Sequence, residues 1–153
     1  MWSGDVVEMA RLLDAGAEYT LLIAAAIDDA ERVNELLRAD PTSANALDPV
    51  GRRPLSGAVE SGNAAIVRRL LTSHADPNAR ELLCGGGLAL RTACVAGATD
   101  MVELLLDYGA NPELSMDSCG ACIEAAIDHG HARITSLLYA HGTTCGIRMY
   151  AMQ

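Results

Sequence analysis

The chain repeats itself. Pro54-Leu55-Ser56-Gly57-Ala58-Val59, then Gly62, Ile66-Val67, Leu70-Leu71 and Ala75-Asp76-Pro77-Asn78 form one copy. Ala89-Leu90-Arg91-Thr92-Ala93-Cys94, then Gly97, Met101-Val102, Leu104-Leu105-Leu106 and Gly109-Ala110-Asn111-Pro112 form a second, about thirty-five positions on. Self-similarity at this period marks a stacked array, in which no unit can bury its apolar face alone and each needs its neighbours.

The building material agrees. Half of the 153 residues are apolar, only 3% are aromatic and Phe is absent, so a core of Ala, Leu, Ile, Val and Met is expected, suited to thin, closely packed helices. Apolar residues recur at three-to-four-residue spacing through 5–14, 19–27, 31–39, 64–73, 99–108 and 132–140, the helical period. Pro54 opens a helix where a missing N–H costs nothing. Gly62 and Gly109 end helices, Thr99 is expected as an N-cap, and Asp48-Pro49-Val50-Gly51 is a turn by composition. The fold class is all-α: stacked helix-turn-helix units joined by short β-turn or finger loops.

Charge narrows the partners. The net charge is −9, and all eleven basic residues are Arg. Without Lys there is no Schiff-base lysine and no P-loop lysine. Residues 52–91 hold six Arg against Glu60, Asp76 and Glu81, about +3, while the remainder carries −12. Nucleic acid wants a broad basic surface, so no nucleic-acid partner is expected. The longest strongly apolar run, Leu21 to Ile27, is far short of the ~20 residues that span a bilayer, and the start Met1-Trp2-Ser3-Gly4-Asp5 lacks a signal-peptide pattern. A cytoplasmic protein without membrane contact, its five Cys free, is expected.

Gly-x-x-Pro-Leu-x-x-Ala at 51–58, Ser-Gly-Asn at 61–63, Ile-Val-x-x-Leu-Leu at 66–71 and Ala-Asp-Pro-Asn at 75–78 resemble the ankyrin repeat. That family's unit of about 33 residues has a β-turn, two helices and the motif T-P-L-H-x-A. The resemblance implies an ankyrin-repeat solenoid over one domain: a half repeat at 1–17, repeats at about 18–47, 48–82, 83–115 and 116–142, and a tail at 143–153. The departures are specific. The motif Thr-Pro is Arg53-Pro54, Leu88-Ala89 and Ala121-Cys122, and the motif His is Ser56, Arg91 and Glu124, so His-mediated bonding between loops is expected to be lost. His74 stands where the family usually has Gly and would itself have to take the left-handed turn conformation.

Chemistry is scarce. Cys119-Gly-Ala-Cys122 with His129, His131, His141 and Cys145 suggests zinc by spacing. The repeat register instead puts Cys119 at a turn glycine, Cys122 at the motif proline and His131 at a Gly-His position, so no metal ligand is assigned and the zinc module stays an alternative. Cys84-Gly85-Gly86-Gly87 lacks the ending of a phosphate loop and reads as a finger. Cys94 reads as an inert core thiol. No catalytic motif is present, so no catalytic residue, no cofactor and no enzymatic activity are expected.

The resemblance implies recognition through turn tips and the inner-helix face. Matched residue by residue, the turn tips are Val50, Arg52 and Arg53; Leu83, Cys84 and Leu88; and Asp117, Ser118 and Ala121. The inner-helix positions are Glu60, Ser61, Val95, Ala96, Asp128 and His129. This implies a non-catalytic scaffold for a protein or peptide partner, monomeric unless an uncapped N-terminal end self-associates. The alternative is a fragment or regulatory segment of a larger polypeptide.

Overall fold

A computed structural model describes residues 19–49, 51–82, 87–114 and 121–143. The half repeat expected at 1–17 and the tail beyond Thr143 lie outside the described residues. Four helix pairs follow one another: α1 (Leu21–Ala26) with α2 (Ala30–Ala39), α3 (Pro54–Ser61) with α4 (Ala64–Thr72), α5 (Leu88–Ala96) with α6 (Thr99–Asp107), and α7 (Cys122–Asp128) with α8 (Ala132–Ala140). A 3₁₀ turn, Pro41–Asn45, follows α2, and no β-strand occurs among the described residues. The chain is thus an all-α stack of helix pairs.

Local chemistry sets the helix ends. The Asn63 side chain accepts from the N–H groups of Ala65 and Ile66 (2.8 and 3.2 Å) and starts α4. The Thr20 hydroxyl accepts from Ile23 N–H and shortens the helix expected over 19–27 to Leu21–Ala26, with Asp28 turning left-handed (φ 66°) beyond it. Thr99 is not the expected cap. It is the first residue of α6, Ala98 holds the cap position, and no side chain caps that end. His74 does take φ 65°, a conformation costing roughly 1–2 kcal/mol for a residue with a Cβ.

Odd-numbered helices form an inner row, α1 on α3 on α5 on α7, and each packs on the even helix that follows it. Small residues let the inner row close: Ala24, Ala58, Ala93 and Ala126, at one register position, are all wholly buried. Gly57 is there for contact. A Cβ on it would lie 2.8 Å from the Leu22 side chain of α1. The outer row adds the larger groups, with Leu70, Leu105 and Leu138 wholly buried, each worth roughly 1.5–3 kcal/mol. The outer row is looser at its start. A cleft of about 210 Å³ lined by Ala30, Val33, Asn34, Ala65, Ile66 and Arg69 separates α2 from α4, crossed by Arg69 Nε donating to Asn34 Oδ1 at 2.8 Å.

Successive units are also tied at their turns. The Asn45 amide donates to His74 C=O and accepts from Asp76 N–H (2.7 and 2.8 Å). Asn78 repeats the pattern with Gly109 C=O and Asn111 N–H (2.8 and 2.7 Å). One amide side chain therefore satisfies two backbone groups of the next unit, which fixes the spacing of the turns.

Candidate functional site: the inner-helix face and the turns

The sequence-predicted residues divide by what they already touch. Arg52 Nη2 lies 2.6 Å from Glu60 Oε1, and these side chains are only 14% and 22% exposed. The Arg53 guanidinium folds inward, Nε donating to Arg80 C=O at 2.9 Å and Nη1 to Asn45 C=O. The basic turn thus spends much of its hydrogen-bonding capacity within the fold. Ser61 Oγ donates to Ala58 C=O in its own helix (2.8 Å). Leu88 is half-buried at the start of α5, and Val95 is half-buried against the core. Ala96, Asp128 and His129 are exposed. Val50, Leu83, Cys84, Asp117 and Ser118 lie outside the described residues.

The inter-loop bonding expected to vanish with the motif His is carried by another pair. Ser56, in that position, donates its hydroxyl to the carboxyl of Glu81, which is only 7% exposed. Burial pushes the Glu81 carboxyl above the usual carboxylate range, against the opposing pull of the Ser56 hydroxyl and the charge of Arg52. Oε2 of Glu81 is buried with no hydrogen-bond partner among the described residues. A buried, incompletely satisfied carboxyl is stable only when desolvation is offset or the proton is kept. Glu81 was legible only as a charge. Its pairing depends on tertiary folding across a separation of twenty-five residues.

Among the described residues the cysteine and histidine side chains pair up but do not gather into one cluster. Cys94 and Cys122 are buried across the α5–α7 junction, and the Cys94 thiol is pushed up by its hydrogen bond with Cys122 and by burial. His129 Nδ1 lies 2.9 Å from Ala125 C=O. His131 Nε2 lies 3.2 Å from Val95 C=O, its ring so close to Gly97 that a Cβ there would sit 2.6 Å from it. The two imidazoles stack with centroids 6.1 Å apart. Among the described residues no group of three or more His, Cys, Asp or Glu could hold a metal ion; Cys119 and Cys145 lie outside them.

A family model described as ankyrin repeats (3 copies) matches residues 57–149. The chain is an ankyrin-repeat protein. It is 30% identical over 145 residues to the ankyrin repeat protein YahD of Escherichia coli (strain K12), covering 86% of this chain and 71% of that protein. It is 33% identical over 89 residues to protein phosphatase 1 regulatory subunit 27 of Mus musculus, 58% of this chain and 56% of that one. Over 93 residues it is 33% identical to ankyrin repeat and MYND domain-containing protein 1 of Mus musculus, which matches 53% of this chain but spans only 10% of that longer protein. Ankyrin repeats are generally protein–protein interaction modules and generally not enzymes. No helix among the described residues is long and apolar enough to cross a membrane.

Proposed function

We propose that this ankyrin-repeat chain is a non-catalytic, cytoplasmic scaffold that binds a protein or peptide partner along the inner-helix face. The observation that carries this reading is the contrast between Arg52, Arg53 and Glu60, engaged within the fold, and the exposed Ala96 and Asp128, which with half-buried Val95 and with His129 just past α7 present an apolar-to-acidic strip. Apolar groups at such a strip supply anchoring energy, and the charges around them supply selectivity. Leu88 and Ser61 extend the same face in the repeat register, and the resemblance assigns Val50, Leu83 and Asp117, outside the described residues, to the turns. Arg52, Arg53 and Glu60 then act by holding the turn rather than as free anchors.

The test is affinity capture with three forms of the chain. A partner retained by the wild type and by the outer-face variant Arg68→Glu, but lost from Val95→Asp combined with Asp128→Arg, supports the reading. Equal capture by all three refutes it.

A second reading, a segment within a larger polypeptide, is favoured by two positions in the repeat. Ala25, Val59 and Cys94 are at most 6% exposed, but Ile127, their counterpart in the last pair, is 49% exposed. Leu37, Leu71 and Leu106 are likewise buried, and their counterpart Tyr139 is 47% exposed. Light scattering at several concentrations, on the wild type and on Ile127→Ser with Tyr139→Ser, tests whether this face drives association.

A further inference from the structure

The same inter-unit space occurs twice with very different contents. At the second junction, Arg53, Leu55, Ser56, Asp76, Glu81 and Ala89 are among the residues around a void of about 10 Å³, room for no more than one water. One unit earlier, Tyr19, Leu21, Leu22 and Pro54 take the places of Arg53, Leu55, Ser56 and Ala89, and Asp40 lines the space as well. Here the space opens to about 380 Å³, within the roughly 300–1,000 Å³ of ordinary ligand pockets. The Ser56–Glu81 pair fills the second space, whereas Leu22 stands in Ser56's place and the chain after Asp40 winds into the 3₁₀ turn.

The open pocket has a definite chemistry. Leu21, Leu22, Leu36, Ala39, Leu47 and Pro54 make an apolar wall. Asp40 and Asp48 are the charged side chains in its described lining, and no basic side chain is among them. Both carboxylates are fixed: Asp40 Oδ1 accepts from Thr42 N–H at 2.9 Å and from its hydroxyl, and Asp48 Oδ1 accepts from Arg52 N–H at 2.7 Å. The Thr42 bonds also hold the Asp40 carboxyl below the usual carboxylate range, so it is charged at neutral pH.

We propose that this pocket docks a partner peptide by one apolar side chain, with an adjacent arginine or lysine held at the Asp40–Asp48 rim. Apolar burial gives the anchor and the two acids give the charge selection. The proposal is independent of the inner-helix strip, and either can fail alone.

The probes are three capped pentapeptides with glycine ends: leucine between two arginines, leucine between two glutamates, and glycine between two arginines. Binding to the full chain is followed by amide and methyl NMR shifts. The expected result is saturable shifts at Leu22, Leu36 and Leu47 for the first peptide, with binding roughly tenfold weaker or worse for the other two. Asp40→Asn with Asp48→Asn, which keeps the acceptor oxygens, should erase the preference for arginine over glutamate. Ala46→Phe, or Ala39→Leu should that variant not fold, fills the pocket and should abolish binding. Equal binding of all three peptides, or binding undiminished in a folded filled variant, overturns the proposal.

Two other occupants have their own signatures. Trp2 is the sole tryptophan. A change in its emission on filling the pocket, with no peptide bound by the wild type, would assign the space to the chain's own N-terminal segment and overturn the proposal. Concentration-dependent dimerisation abolished by Ala46→Phe would assign it to a second copy and overturn it equally.

Discussion

Leu105→Ala probes the stack at its centre. The side chain is 0% exposed, on an outer helix that packs against α5 and against both neighbouring outer helices, α4 and α8. Three carbons leave the core, a transfer loss of about 2.4 kcal/mol at ~0.8 kcal/mol per group. A residual void of about 50 Å³ adds roughly 1 kcal/mol at ~24 cal/mol per Å³. Together the loss is about 3–4 kcal/mol. Ile127→Ala removes the same number of carbons from a side chain 49% exposed, so about 1 kcal/mol with no cavity is expected. Urea melts followed by circular dichroism read both. In an array each unit is held only by its neighbours, so the slope must be compared along with the midpoint. A Leu105→Ala loss below about 1 kcal/mol at unchanged slope, or a loss no larger than that of Ile127→Ala, refutes the packing argument.

Two further outcomes follow from buried or strained groups. The folded Glu81 carboxyl titrates above its unfolded value, so its stabilising contribution is fully present below the unfolded carboxylate pKa and is lost as pH rises through the raised folded one. Glu81→Gln should therefore gain on the wild type between pH 4.5 and 7.5 in urea melts, and a wild type that gains on the variant over that range contradicts the assignment. His74→Gly relieves a left-handed residue and should raise stability by up to about 1 kcal/mol, read as a small rise in Tm; a loss above about 1 kcal/mol would mean that the imidazole does unseen work.

The repeat, its helical period and the motif glycines and proline were legible because they are local demands of the backbone. Pro54 can only begin a helix, Gly62 (φ 78°) closes it, and His74 is forced into the place of a glycine. The missed cap is instructive. Thr99 has a suitable side chain, but the backbone there bonds Thr99 N–H to Gly97 C=O and enters the helix one residue early. The candidate site was legible as positions and not as states. Arg52, Arg53 and Glu60 could be placed near the turns from register, but whether they face a partner or one another depends on groups far apart in the chain.

By itself the sequence determined the unit: which residues form helices, where they stop, and which faces are apolar. Those are set by side chains within one or two turns of each other. Only tertiary folding decided that Ser56 meets Glu81, that Asn45 and Asn78 brace the next turns, and that one junction closes to the size of a water while its neighbour stays open. These outcomes join groups far apart in the chain, and the volume left between two surfaces is a property of neither alone.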